Sequence, residues 1–137
     1  MKNSHVFSIL AVSFVGCLWS SVTPAIERWN LYESSNVSIS YIDMQSIRTR
    51  GDITSYQALL NFREGVSSSA MLSGINYFEM KCKTREVRYI LGDSFSDLYG
   101  NGRKIGTLTA EMLGPNSMGF KPVSGVHEKH FSLVCKQ

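Results

Sequence analysis

Apolar and polar residues alternate with a period of two over most of the chain beyond residue 26. Trp29 and Leu31 begin the pattern, and a second run places Val37, Ile39 and Tyr41 between serines. A longer run shows the pattern most clearly, with one face formed by Thr54, Tyr56, Ala58, Leu60 and Phe62. Such alternation is typical of strands that bury one face on a core. The pattern therefore predicts three strands in the first half of the chain.

Turn signals separate these strands. Asp43 is expected to cap a single helical turn over Met44 to Ile47, because an aspartate side chain can accept hydrogen bonds from the backbone amides of a helix start. Gly51-Asp52 marks the turn before the third strand. Residues 65 to 74 are rich in glycine and serine and are expected to form a loop.

Two apolar faces of opposite phase follow at residues 78–82 and 87–91, and we expect them to form a hairpin. The expected cross-strand pairs are Cys82 with Val87, Met80 with Tyr89, and Phe78 with Leu91. Lys83 to Glu86 would then form the turn, and Arg88 would lie opposite Lys81. This arrangement places apolar side chains together on one face of the hairpin.

The last third of the chain is expected to end in a helix. Gly100-Asn101-Gly102 predicts a tight turn before a short strand over Lys104 to Leu108. Residues 125 to 136 carry apolar positions at helical spacing, and Ser124 is the expected N-cap. The predicted fold class is therefore α+β, with a single mainly antiparallel sheet of about six strands, a short C-terminal helix packed on it, and one disulfide.

The first 25 residues have the pattern of a signal peptide. Lys2 precedes an apolar stretch over Val6 to Trp19, and Thr23-Pro24-Ala25 offers small residues for cleavage before residue 26. A retained anchor is the alternative, although the apolar stretch is shorter than the ~20 residues that span a bilayer. Phe14 to Cys17 offers another route, because it resembles a lipobox in which Cys17 would be lipidated. The predicted domain is then residues 26–137.

Export changes how the cysteines are interpreted. Once Cys17 is removed or lipidated, Cys82 and Cys135 remain as an even pair, and disulfides persist in oxidising compartments. We therefore expect a Cys82–Cys135 disulfide that ties the terminal helix to the sheet. Two buried free thiols are the alternative.

Composition excludes several functional classes. Hydrophobic residues make up 43% of the chain and charged residues 18%, which is typical of a globular domain. The formal net charge of +3 falls by one when residues 1–25 are removed, because Lys2 is their only charged residue. So weak a charge does not predict a nucleic-acid partner.

No combination of residues predicts catalysis, a cofactor or a metal site. His127 and His130 lie three positions apart on the predicted helix, but no third ligand is evident, and surface histidines are the expected interpretation. Ser117 lacks the spacing of a nucleophile elbow. The glycines around Asn101 lack the spacing of a phosphate loop. We therefore expect a protein that is not an enzyme.

Basic residues are concentrated around the predicted hairpin turn. The candidate binding patch consists of Lys81, Lys83, Arg85 and Arg88. Such a group can attract an anionic partner, such as an acidic protein segment, a glycan or a lipid head group. An ordinary solvated face is the alternative.

A series of short motifs in a fixed order points to a family. The motifs are Trp29-Asn30-Leu31, Val37 to Asp43, Ser46-Ile47, Gly51-Asp52, Cys82 to Arg85, Arg88-Tyr89, Tyr99 to Gly102 and Val134-Cys135. Their layout resembles the bacterial surface-adhesin protein E family over nearly the whole of residues 26–137. Tyr56 and Phe120 stand where the resemblance leads us to expect tryptophans.

The resemblance implies an antiparallel sheet with a helix near the C-terminus, an internal disulfide and a homodimer. It further implies an adhesin of the outer membrane of a Gram-negative bacterium that binds host matrix proteins such as vitronectin and laminin. We therefore expect an exported binding protein of the periplasm or cell surface, held at the membrane only if Cys17 is lipidated. The alternative is a structural or interaction protein of the envelope.

Overall fold

A computed structural model describes residues 28–67 and 70–136 of the chain. Over this part, seven strands form one antiparallel sheet and a single α-helix follows them. The elements are β1 (Trp29–Ser34), β2 (Ser38–Arg50), β3 (Ile53–Phe62), β4 (Ser73–Lys81), β5 (Glu86–Phe95), β6 (Lys104–Thr109), β7 (Lys121–Pro122) and α1 (Val126–Val134). Strands β1 to β6 are neighbours in chain order, and β7 pairs with β5. The predicted fold class is confirmed.

The predicted signal peptide and Cys17 lie outside the described residues. None of the helices in the described ranges is long and apolar enough to span a membrane.

Helix α1 covers one face of the sheet, which we call the inner face. Tyr56, Phe78 and Met80 point to this side and form a core with Val134 of the helix. Because side chains alternate along a strand, their chain neighbours point to the opposite face, which we call the outer face. The alternation that predicted the strands is therefore the alternation between these two faces.

The prediction of a helical turn at Met44 to Ile47 is wrong, because strand β2 continues through this segment. The pairing with β3 is interrupted between Asp43 and Arg48, where extra residues form a bulge. Asp43 accepts a hydrogen bond from the Gln45 amide at 3.0 Å, as a helix cap would. The segment nevertheless stays in the sheet, since Ser46 Oγ accepts a hydrogen bond at 2.8 Å from an amide of β3.

The predicted hairpin is present, but its register differs from the expected one by two residues. Met80 pairs with Val87, and Phe78 pairs with Tyr89. The turn consequently occupies residues 82–85, where Arg85 adopts a positive φ of 54°. The predicted placement of Arg88 opposite Lys81 is therefore wrong, and Arg88 lies opposite Glu79.

The C-terminal helix is shorter than predicted, and Ser124 does not act as its N-cap side chain. Gly125 occupies the cap position with φ of 58° and makes no side-chain bond. The carbonyl of Ser124 instead accepts a hydrogen bond from the His127 amide at 3.1 Å. The β6 prediction is confirmed to within one residue.

The Cys82–Cys135 disulfide is confirmed. The two Cα atoms are 5.6 Å apart, and the bond joins residues separated by 53 positions. It connects the turn after β4 to the residue that follows α1, and so it ties the helix to the sheet.

A short 3₁₀ turn over Leu98–Gly100 packs on the outer face against β3 and β4. Two buried polar side chains hold it there. Asn61 Oδ1 accepts a hydrogen bond from the Tyr99 amide at 2.9 Å, and Ser73 Oγ accepts one from the Gly100 amide at 2.9 Å. One end of the outer face is therefore covered, while the other end, near the β4–β5 turn, stays open.

Candidate functional site

The open end of the outer face carries two cations against one aromatic ring. The ammonium of Lys81 lies 4.2 Å from the centre of the Phe120 ring, and the guanidinium of Arg88 lies 4.6 Å from it. Cations at such distances are attracted by the negative face of an aromatic ring. We call Lys81, Arg88 and Phe120 the basic–aromatic cluster.

Strand pairing places the ring in this position. Val87 of β5 pairs with Lys121 of β7. One step further along the two antiparallel strands, Phe120 comes opposite Arg88 on the outer face. The ring therefore reaches the two cations through a contact between segments more than thirty residues apart in the chain.

Glutamates on the neighbouring strands hold the two cations in place. Arg88 Nε donates a hydrogen bond to Glu79 at 2.7 Å, and Lys81 lies 4.0 Å from Glu86. The Arg88, Lys81 and Glu86 side chains are each 34% exposed. Partly exposed pairs of this kind contribute little to stability, and a partner can still reach the exposed third of each of these side chains.

Two further arginines extend the positive surface. Arg48 and Arg50 of β2 are exposed and line a shallow hollow of about 340 Å³ together with Ile53, Ser55 and Glu79. Arg48 Nη1 donates hydrogen bonds to the carbonyls of two residues of its own bulge, at 2.8 and 2.7 Å, which leave its other nitrogens for a ligand. Arg50 makes no ion pair within residues 28–67 and 70–136.

The structure separates the other two residues of the predicted patch from the cluster. Lys83 lies in the β4–β5 turn and contacts Asp52 at 3.1 Å. Arg85 turns toward α1, where it contacts Glu128 at 2.7 Å and its guanidinium lies 4.1 Å from the Phe131 ring centre. Arg85 therefore fastens the helix, and Lys83 lies beyond the end of β4.

The inner face contains a buried histidine, where surface histidines were expected. His130 is 2% exposed, and its Nδ1 lies 2.9 Å from Tyr56 Oη and 3.4 Å from His127 Nδ1. Burial, with a smaller effect of His127, lowers the pKa of His130 to about 3. The ring is therefore neutral at physiological pH. No group of three or more potential metal ligands occurs in the described ranges.

Comparison with known proteins decides the family. A profile of the surface-adhesin protein E family matches residues 29–136. The chain belongs to the surface-adhesin protein E family. The family predicted from the order of the motifs is thus confirmed.

Solved structures of another protein show the same fold. Two structures of Haemophilus influenzae protein E, one of them crystal form II, superpose with a TM-score of 0.54 at 16% sequence identity. They cover 79% of this chain, and the aligned parts make up 87% and 83% of the matched chains. A search of curated proteins found no match to the sequence.

The sequence alone predicted two of the cations on the outer face, but it did not predict Arg48, Arg50 or Phe120 as part of the site. Lys81 and Arg88 belonged to the predicted patch. Arg48 and Arg50 were missed because the expected helical turn hid the continuation of β2. Phe120 was missed because its position depends on the pairing of β7 with β5. The signals for it were its place next to a proline-containing segment and the family resemblance, which leads us to expect a tryptophan at this position.

Proposed function

We propose that this protein is an exported, non-enzymatic, adhesin-like binding protein that contacts host matrix proteins through its basic hairpin face. The contact surface is the basic–aromatic cluster. The observation that carries the proposal is the position of two cations against one ring, at the end of the outer face that the described elements leave open. Membership of the surface-adhesin protein E family supports the same function.

The cluster has the composition of a binding hot spot. Arginine and aromatic residues contribute strongly to interfaces, because they offer large contact areas and directed hydrogen bonds. The ion pairs with Glu79 and Glu86 reduce the conformational freedom of the two cations before a partner arrives. Less ordering entropy is then lost on binding.

The test compares two double variants of equal charge change. Lys81→Gln with Arg88→Gln removes the cations of the cluster. Lys104→Gln with Lys129→Gln removes two other ion-paired lysines, whose partners lie at 2.7 and 2.9 Å. Binding to laminin and to vitronectin is measured by surface plasmon resonance, and far-UV circular dichroism checks folding.

We expect the cluster variant to bind at least tenfold more weakly, which corresponds to about 1.4 kcal/mol, and the control to bind like the wild type. Equal binding by all three proteins, or equal losses in both variants, would remove the cluster from consideration. Lys83→Gln is expected to lower affinity less than the cluster variant, because Lys83 is 84% exposed and lies in the turn.

Export is part of the proposal, with cleavage after Ala25 or lipidation at Cys17. Mass spectrometry of the protein from its own host distinguishes the two products by their N-terminal residue and by the mass of the acyl chains. Recovery of the full chain from the cytosol, with Cys82 and Cys135 reduced, would contradict export.

A second candidate function is that of an envelope component that pairs with itself or with another envelope protein. Strand β6 supports it, because it lies at the end of the strand order and is exposed along five of its six residues. Exposed edges invite pairing with another strand. Leu108→Lys on this strand is expected to abolish chemical crosslinks between copies, and unchanged crosslinking would exclude the β6 edge.

A further inference from the structure

Cations and hydrogen-bonding groups form two rows that run across the strands of the outer face. In the first row Arg48 pairs with Ser55, Ser55 with Glu79, and Glu79 with Arg88. Phe120 ends this row next to Arg88. Because neighbouring strands are about 4.8 Å apart, the Cα atoms of Arg48 and Arg88 are separated by about 14 Å along the row.

The second row lies two residues away, about 6.6 Å along the strands. Arg50 pairs with Ile53 in β2 and β3, and Lys81 pairs with Glu86 in β4 and β5. Ile53 and Lys81 both lie one step beyond the Thr54–Met80 pair, which makes them neighbours. The Cα atoms of Arg50 and Lys81 are therefore about 10 Å apart across the sheet.

Apart from Ile53, the residues that lie between or beside the cations carry groups that accept or donate hydrogen bonds. Ser55 and Glu79 line both the hollow beside the arginines and an adjoining hollow of about 200 Å³. Gln57 and Tyr77 line the adjoining hollow. The surface thus alternates between positive charges and neutral or acidic acceptors, and it contains two aromatic rings, those of Tyr77 and Phe120.

This alternation matches the chemistry of a sulfated polysaccharide. Guanidinium groups bind sulfate and carboxylate oxygens through paired hydrogen bonds. The hydroxyl groups of a sugar donate hydrogen bonds to carboxylate and amide oxygens, which Glu79 and Gln57 provide. An acidic peptide offers carboxylates without the many hydroxyl donors of a sugar, so Glu79 between Arg48 and Arg88 would repel it without a compensating hydrogen bond.

Resting on the proposed function, we propose that the outer face binds a sulfated polysaccharide chain that lies across the strands from Arg48 and Arg50 to the basic–aromatic cluster. The arginine pair of β2 holds one sulfated segment, and Lys81 and Arg88 hold the next. The glycan chain of a matrix proteoglycan and the free polysaccharide share this chemistry.

The experiment measures binding of a heparin hexasaccharide by isothermal titration calorimetry at about 0.15 M salt. The comparison probes are the same hexasaccharide after desulfation and a polyglutamate peptide of equal charge. Arg48→Gln with Arg50→Gln is the test variant, and the Lys104→Gln with Lys129→Gln protein serves again as the control of equal charge. The test variant leaves the basic–aromatic cluster intact.

We expect the test variant to bind the hexasaccharide at least tenfold more weakly than the control, with a shallower dependence of affinity on salt. Desulfation should abolish binding. Equal losses in test and control variants, no binding by the wild type, or tighter binding of polyglutamate would each overturn the proposal. If laminin binding depends on Lys81 and Arg88 but the protein does not bind the hexasaccharide, the glycan assignment is overturned and the proposed function stands.

The opposite outcome is also distinguishable. In it, hexasaccharide binding depends on Arg48 and Arg50, while laminin and vitronectin binding is unchanged by the loss of Lys81 and Arg88. The glycan site would then stand at the β2 arginines, and the proposed contact of the cluster with matrix proteins would fail. The two proposals are thus tested separately by the same set of proteins.

Discussion

Removal of the disulfide is expected to destabilise the protein by about 4 kcal/mol. The change is the double substitution Cys82→Ser with Cys135→Ser. The bond closes a loop of 53 positions. In the chain-entropy treatment, a loop of this length restricts the unfolded chain by about 14 cal/mol/K, which corresponds to about 4 kcal/mol at 25 °C.

The structure indicates why the free energy of unfolding should depend on this bond. Helix α1 has nine residues, and its buried side chains are His130 and Val134. A helix of this length is marginal alone in water. Without the bond, α1 is held by the packing of its apolar side chains on the core, by the Arg85–Phe131 stack, and by the exposed ion pairs of Glu128 and Lys129.

Urea unfolding followed by circular dichroism gives the free energy directly, and the oxidised wild type is compared with the double variant. The thermal midpoint should fall by roughly 20 °C for a loss of this size in a domain of about 100 residues. A loss below about 1 kcal/mol would refute the reasoning. It would mean that the reduced, unfolded chain already keeps the two positions close together. Wild-type protein reduced with dithiothreitol should match the double variant, which controls for the serines.

Two further predictions concern the buried histidine and the 3₁₀ turn. The pKa of His130 is lowered to about 3 from an ordinary 6.5, so the unfolded state binds more protons between these values. The free energy of unfolding should fall as pH drops from 6.5 toward 3, by at most about 1.4 kcal/mol per pH unit. His130→Gln, measured over the same range by urea unfolding, should remove this part of the slope, and an unchanged slope would contradict it. Gly100→Ala should cost about 2 kcal/mol, because φ is +71° and the new Cβ would lie 2.4 Å from Ile75 Cδ1. Gly106→Ala meets nothing within 4 Å and serves as the control, so equal losses would be inconsistent with the argument.

The strands were predictable because alternation is a local property that burial makes visible. Tyr56 and Ala58 repeat at spacing two because both point to the inner face, and the structure confirms their burial. The pattern is less clear at the end of β3, where Leu59 is buried on the outer face. Leu98–Gly100 packs against β3 there, and no alternation within β3 could reveal that contact.

The bulge at Asp43 was missed because its local chemistry is that of a helix cap. In a helix cap and in this bulge alike, the aspartate side chain accepts a hydrogen bond from a backbone amide two or three residues ahead. The choice between them depends on Ser46, whose hydroxyl accepts a hydrogen bond from Gln57 of the next strand. A partner eleven positions away is not visible in the local pattern.

The hairpin register was missed for a similar reason. Shifting the pairing by two residues keeps every side chain on its face, so the apolar pattern fits both registers. The observed register places Glu79 beside Arg88 and Glu86 beside Lys81, whereas the expected one would have placed Arg88 beside Lys81. Opposite charges across a strand pair are favourable and like charges are not. Charge pairing was therefore the better guide here.

The order of the strands has a consequence for how the chain assembles. Each of β2 to β6 pairs with the strand that comes just before it, so the sheet can grow one hairpin at a time from the N-terminal strands onward. Such stepwise growth requires only short loop closures, which are fast. Cys135 follows α1, the last element of the described chain, so the native disulfide can form only after the segment of every strand has been made. Formation of the Cys82–Cys135 disulfide is therefore a late step that requires the complete chain.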